Sequence, residues 1–228
     1  RDSNNTYGTR RIRAECEREG IVISRRRIGR IMRQEGLISV YTQAQYKVHS
    51  SGCNESETGN ELDREFDGHQ ELETIVSDLT YVRVGDKWNY ICTIIDLSNR
   101  EIIGYSCGPH KTAQLVYEAF LSIRGDLRKV ALFHTDRGRE FMNQIIDDLL
   151  ETFEIKRSLS HKGTPYDNAV AEATFKTIKF EFVYQKRFEV LNQLRQEFKA
   201  YVWWYNNKRL HSTLGYISPV EHRIANDL

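Results

Sequence analysis

Residues 75–107 read IVSDLTYVRVGDKWNYICTIIDLSNREIIGYSC, and the fold is decided there. Val, Ile, Tyr and Thr recur at alternate positions, the period of a strand with one face turned to a core. Gly85-Asp86 and Ser98-Asn99 are turn pairs, so the stretch predicts three strands, at 75–84, 88–97 and 101–107, joined as an antiparallel meander. Downstream the period lengthens. Residues 112–123 carry Leu115, Ala119 and Phe120 on one helical stripe, and residues 139–153 carry Phe141, Ile145, Ile146, Leu149 and Leu150. Short apolar strands are expected at 130–134 and 155–159, then two long helices at 168–188 and 191–210, the second rich in aromatics. The order β-β-β-α-β-α-β-α-α predicts an α/β fold, a mixed sheet covered by helices.

Upstream of the meander, residues 1–47 read as a small helical module. One helix is expected at 9–19, stopping at Gly20, and a second after the cap residue Ser24, stopping at Gly36. The second has an apolar stripe of Ile28, Ile31 and Met32, surrounded by Arg25, Arg26, Arg27, Arg30 and Arg33. Two helices on a short turn, the second arginine-rich, look like a helix-turn-helix that lays Arg25, Arg26, Arg27 and Arg30 against DNA. The alternative is a helical hairpin with a solvated basic face. Residues 48–73 have an acidic linker composition, in which Leu62 and Phe66 could dock a short helix. Residues 74–228 remain as a catalytic-size unit.

Charge follows the same division. Residues 1–50 hold 11 Lys/Arg against 5 Asp/Glu, and residues 51–78 hold 1 against 9, in a chain of 228 residues with net charge +1. No apolar run reaches the ~20 residues of a membrane span, and the polar, arginine-rich start is not a signal peptide. The chain begins at Arg1 rather than Met. Cys16, Cys53, Cys92 and Cys107 are scattered without a C-x-x-C, which reads as idle thiols in a reducing compartment. His49 and Cys53 have a ligand-like spacing, but no second pair completes a zinc site.

Three carboxylates stand out by position. Asp78 lies inside the first strand, where a charge is unfavourable unless paired or used. Asp136 closes the fourth strand before a glycine turn, at the sheet edge where open α/β folds bind ligands. Glu172 lies in residues 162–181, KGTPYDNAVAEATFKTIKFE. There Asp167 or Asn168 can cap a helix, and Glu172, Lys176 and Lys179 fall on one face. Carboxylates from separate elements suit hard divalent cations, and two Mg²⁺ ions about 3.5–4 Å apart can serve phosphodiester chemistry. The plainer reading of the helix is a solvated Glu172–Lys176 pair. Asn168, Glu181, His134 and His161 read as structural or solvated groups rather than ligands.

The motifs resemble a known family. Ser77-Asp78-Leu79-Thr80-Tyr81, His134-Thr135-Asp136-Arg137-Gly138 and Asp167-Asn168-Ala169-Val170-Ala171-Glu172 look like the three signatures of DDE transposases, with 35 residues between Asp136 and Glu172 as in retroviral integrases. The run from Tyr205 to Tyr216, YNNKRLHSTLGY, with Ser218-Pro219, resembles the closing signature of bacterial insertion-sequence transposases of the IS-three type. Tyr7-Gly8-Thr9-Arg10-Arg11-Ile12 and Ile31-Met32-Arg33-Gln34-Glu35-Gly36-Leu37 resemble the helix-turn-helix segment before their core. One departure is Ile75, where the family usually has Trp.

The resemblance implies a ribonuclease-H-like core, a five-stranded mixed sheet with Asp78 and Asp136 on adjacent strands. It implies Asp78, Asp136 and Glu172 as catalytic and metal-holding residues, with Mg²⁺ or Mn²⁺, in DNA strand cleavage and strand transfer. Lys176 and Lys179 would contact DNA phosphates. The partners implied are the element's terminal inverted repeats, the target DNA and further copies of the chain on DNA, in the bacterial cytoplasm and without a membrane. It also implies a further end-recognition module upstream in the full transposase. The competing readings are a structure-specific nuclease of the same fold and a non-catalytic DNA-binding fragment.

Overall fold

Strands β1 (Thr74–Val84), β2 (Lys87–Asp96) and β3 (Ile102–Gly108) form the expected meander, antiparallel in sequence order. Gly85 takes a positive φ of 52° at the first turn, a conformation that a β-carbon disfavours. The chain then alternates: helix α3 (Ala113–Leu121), β4 (Leu132–Thr135), α4 (Gln144–Thr152) and β5 (Lys156–Leu159). β4 pairs parallel with β1 and β5 parallel with β4, so the five-stranded mixed sheet has the order β3-β2-β1-β4-β5, with β1 at its centre. The computed structural model describes residues 3–42, 58–162 and 164–226. His49 and Cys53, with their ligand-like spacing, and the loop glycine Gly163 lie outside the described residues.

The pleat of β1 sends alternate side chains to two cores. Ile75 joins Cys92 and Ile94 against Val116, Phe120 and Phe133, on the side of α3 and α4. Val76, Val82 and Val84 face the other way, against α5 (Ala169–Glu181) and α6 (Leu191–Asn207), where Phe175, Ile178 and Phe198 pack.

Several elements are shorter than their apolar patterns. The helix expected at 139–153 starts only at Gln144, because residues 138–142 turn: Phe141 N donates to Gly138 O at 3.0 Å. Asn143 caps it, accepting from Ile146 N at 3.2 Å. The helix expected at 168–188 ends at Glu181, since Phe182 leaves helical geometry at φ −125°, ψ −61°. Phe182 and Phe188 are both buried, with ring centroids 5.3 Å apart, and the chain bends to insert both. The helix expected to reach Leu210 stops at Asn207, and the amides of Lys208 and Arg209 share the Trp204 carbonyl. A further helix, α7 (Pro219–Asn226), carried a legible signal in Ser218-x-x-Glu221. Its capping box is formed, with Ser218 N donating to Glu221 Oε2 at 2.8 Å and Glu221 N to Ser218 Oγ at 3.3 Å.

In the N-terminal module, α1 (Thr9–Arg18) and α2 (Arg25–Gln34) form as expected, and Ser24 caps α2 by accepting from Arg27 N at 3.2 Å. The expected apolar stripe of α2 is only partly covered: Ile28 is buried and Met32 half-buried, but Ile31 is 41% exposed. The module is held to the core by apolar packing of Tyr7, Ile12 and Ala14 and by polar contacts. Tyr7 Oη accepts from Leu210 N at 2.9 Å and donates to Lys208 O at 3.1 Å, and Arg18 forks onto Glu221. Leu62 is buried and Phe66 partly so, but not in a helix, since Asp63 and Arg64 both have positive φ. Instead Leu62 N and Glu61 N donate to Ser158 Oγ in β5, and Arg64 Nε donates to Asp167 Oδ1 at 2.7 Å.

Candidate active site

Asp78 and Asp136 are brought level by the sheet. The parallel register pairs Ile75 with Phe133 and Val76 with His134, and two more residues along each chain lie Asp78 and Asp136. Asp78 is half-buried in β1, and its Oδ1 accepts from Leu79 N at 2.7 Å. Asp136 follows β4, and its Oδ1 accepts from Gly138 N at 2.9 Å, which fixes the turn. Glu172 projects from the first turn of α5 with an exposed side chain.

The three carboxylates feel one another. Burial pushes the Asp78 carboxyl up to about 7, helped by the charge of Asp136 and, less, of Glu172. Glu172 is raised above the ordinary glutamate value by burial and then by Asp136. Such mutual repulsion is what a bound cation relieves. The donors are oxygens alone, and Asp78 and Asp136 accept only from backbone N–H groups among the described contacts, so the set fits a hard divalent ion. As the side chains stand, no three His, Cys, Asp or Glu groups among the described residues are close enough to hold a metal together.

Two residues that sequence reasoning missed belong here. Lys111 Nζ lies 2.8 Å from Glu140 Oε1. Burial pulls the Lys111 ammonium down, but Glu140, Asp136 and Asp78 outweigh it and leave the group above the ordinary lysine value. Lys111 is thus a cation set beside the aspartates. Glu140 is buried, and a β-carbon on Gly138 would lie 2.3 Å from its Oε1, so any larger residue there would push the Glu140 carboxylate aside. Neither residue had a periodic signal: Glu140 sits in a turn, and its partner lies 29 positions earlier on the loop before α3.

The other expected residues fall in different places. Neither Asp167 nor Asn168 caps α5 with its side chain. Asp167 is buried; burial opposes its charge, but the His161 amide and the Arg64 and His161 side chains prevail and hold it below the usual carboxylate range. Asn168 Nδ2 donates to Ser77 O at 3.3 Å, tying the start of α5 to β1 next to Asp78. His134 is buried between Ser158 Oγ and Ser160 Oγ, at 2.7 and 3.0 Å, and burial pulls it down to about 4. The Glu172–Lys176 ion pair of the plainer reading is not formed: Lys176 is exposed and Glu172 has no ion-pair partner among the described residues. Lys179 Nζ sits 5.2 Å from the Tyr81 ring centroid. Arg25, Arg26, Arg27 and Arg30 are exposed along α2 and make no ion pair among the described residues. The Cys92 and Cys107 thiols, buried, are both pushed up to about 12 and are inert.

Two hollows lie away from the carboxylates, one lined by Glu71, Tyr105 and Arg223, another by Phe120, Ile145 and Phe153. Glu172 is exposed and the two aspartates are half-buried, so the site is open on one side, which suits a polymer rather than an enclosed small molecule. No described helix is long and apolar enough to cross a membrane.

Comparison with known proteins bears on this arrangement. Residues 68–165 and 172–226 each match an integrase core domain, and residues 1–45 match an HTH-like domain. The transposase of insertion element IS904 from Lactococcus lactis is 30% identical over 93% of this chain and 85% of its own length. An uncharacterised 31 kDa protein of insertion element IS600 from Shigella sonnei is 32% identical over 96% of this chain and 81% of its own. The transposase InsF of IS3A from Escherichia coli K12 is 28% identical, covering 98% and 79%. Among solved structures, the HTLV-2 integrase catalytic core in complex with magnesium superposes with a TM-score of 0.53 at 16% identity, over 67% of this chain and 96% of that one. The catalytic core of BIV integrase gives 0.52 at 19% identity, over 68% and 96%. These two show a shared ribonuclease-H-like fold.

Proposed function

The chain belongs to the family of insertion-sequence transposases with an integrase core, which acts in DNA transposition, and from that premise we propose that Asp78, Asp136 and Glu172 are its catalytic residues, cleaving the element's ends and joining the freed 3′-hydroxyl to target DNA. The observation that carries the reading is the parallel register of β1 and β4, which sets Asp78 level with Asp136, with Glu172 within reach of the charge of Asp136. These three would hold Mg²⁺ or Mn²⁺, which supplies activation of the attacking oxygen and stabilisation of the leaving one.

The chain's own groups prepare that site. Asp136 is fixed by the Gly138 amide, and Asp78 by its pairing with Thr93 of β2 and by the Leu79 amide. Asn168 holds the start of α5 against Ser77 O and so sets where Glu172 can reach. Lys111 tempers the aspartates' repulsion, and Glu140 keeps Lys111 in place. Lys176 offers a cation one turn from Glu172 to a passing phosphate, and the arginines of α2 offer more to DNA beyond the core. The test is incubation of the purified chain with a labelled duplex carrying the element's end and Mg²⁺. Cleavage that disappears in Asp78→Asn, Asp136→Asn and Glu172→Gln, with melting temperatures retained, supports the reading. Cleavage that persists in any of them overturns it.

A further inference from the structure

β4 pairs with β1 only as far as Val76, so beyond it β1 has no sheet strand on that side, only a single bridge from Val84 to Phe188, and aromatic rings gather around this outer half of β1. Tyr81 meets Trp88 edge to face at 5.1 Å, and Phe180 meets Tyr184 edge to face at 6.0 Å. Lys179, which sits over the Tyr81 ring, is the chain neighbour of Phe180, so the end of α5 brings the two pairs into one strip. Trp88 and Tyr184 are 51% and 48% exposed, so large rings stand in water at both ends of the strip. Cations lie on it: Lys179 Nζ is 5.2 Å from the Tyr81 centroid and Arg83 Cζ 5.4 Å from that of Trp88. Asp86 is the one acid among the described residues in an ion pair with either cation, and that pair is solvated. Asp86 is fully exposed and meets Arg83 at 3.6 Å, and Glu181 is buried and engaged by Arg209.

An exposed aromatic patch on a soluble protein marks an interaction surface. Rings interleaved with cations, and short of carboxylates, match one polymer above others: unpaired DNA, whose bases stack on aromatic faces while its phosphates meet Lys and Arg. A duplex keeps its bases stacked on each other and cannot use the rings. The strip is also continuous with the site. Lys179 lies about 10 Å along α5 from Glu172 at 1.5 Å per residue, a span of roughly three phosphates at the stacked spacing of one strand.

We propose that Tyr184, Tyr81 and Trp88, with Lys179 and Arg83, form a stacking platform for unpaired DNA, receiving a strand opened beside the reacting phosphodiester. The proposal rests on the assignment of Asp78, Asp136 and Glu172 as the reacting centre, but its test does not depend on catalysis.

Binding of the full chain to a short fluorescein-labelled oligothymidylate and to a blunt duplex is followed by anisotropy in EDTA, where cleavage plays no part. Trp88→Ala and Tyr184→Ala each lower single-strand affinity about tenfold, and together about a hundredfold, while duplex affinity stays within about twofold. Trp88→Phe and Tyr184→Phe keep most of the single-strand affinity, which separates stacking from a disturbed fold; melting curves check the fold directly. Equal losses for duplex and single strand, or no loss in the double variant, overturn the proposal. So does a change in oligomeric state by light scattering with single-strand binding intact, which would make the strip a contact between copies. Failure of Asp78→Asn to abolish cleavage, with the binding losses still present, strikes the catalytic assignment and leaves the platform standing.

Discussion

Arg209 holds Glu181 with two arms of its guanidinium, Nε at 2.8 Å from Oε2 and Nη2 at 3.0 Å from Oε1, and both side chains are shut off from water. Tyr201 and Tyr41 donate to the same carboxylate at 3.2 and 2.6 Å, and Arg11 Nη1 approaches at 3.6 Å. Glu181 closes α5, the helix that carries Glu172, while Arg11 and Tyr41 belong to the N-terminal module. One buried carboxylate therefore ties the module, the closing segment and the candidate catalytic helix together. Removing one partner of such a pair strands the other charge, so Glu181→Gln or Arg209→Met is expected to destabilise by about 3–5 kcal/mol. Urea unfolding reads this directly. A change below about 1 kcal/mol would show that the cluster is not the tie described.

His134 gives stability a pH dependence of known sign. Its folded pKa of about 4 lies below the unfolded value of 6.5, so between these the unfolded chain binds more protons. Stability from this residue is full above pH ~6.5 and is lost as pH falls toward ~4, by roughly 3 kcal/mol. Melting temperatures of the parent and of His134→Gln, measured from pH 7.5 to 4, should converge as the pH drops through that window. Parallel curves would rule the buried neutral imidazole out as the cause.

A divalent cation should stabilise the fold through the aspartates. Mg²⁺ or Mn²⁺ relieves the repulsion that raises Asp78, so millimolar metal is expected to raise the melting temperature at pH 8, and less at pH 5.5, where protons compete. Asp78→Asn should melt higher than the parent in EDTA and respond little to metal. An equal response in the variant would place the metal elsewhere.

Gly138→Ala is a test of the Lys111–Glu140 pair. The new methyl would meet the Glu140 carboxylate at 2.3 Å, and that carboxylate is the far end of a side chain that can swing away. The expected loss of stability is modest, about 1 kcal/mol, but Lys111 loses its partner and cleavage falls at least about tenfold. Glu140→Gln in the parent should reproduce the drop in activity without the strain. Full activity in both variants would make the pair incidental.

The arginines of α2 carry their own prediction. Arg26→Ala with Arg30→Ala should weaken duplex binding and lower the log–log salt slope by about two units, one for each lost phosphate contact. An unchanged slope would mean that the basic face is only solvated.

The meander, the alternation after it and the mixed sheet were written in local pattern, because strand pleat and helix pitch are short-range periods and turns are marked by Gly, Asp and Asn. Ser24 as a cap was legible for the same reason, and so was the placing of Asp78 and Asp136 at neighbouring strand positions, from which their proposed role starts. The ends of α4, α5 and α6 were not legible. Apolar spacing ran on past them, and only the space available in the core decided that Phe141, Phe182 and Phe188 would be buried from turns rather than from helices. The partners of Lys111, Asp167 and Glu181 were likewise settled by tertiary structure. An ion pair across 29, 103 or 28 residues leaves no periodic trace, since it depends on where separate elements pack and on the burial that makes an unpaired charge unaffordable.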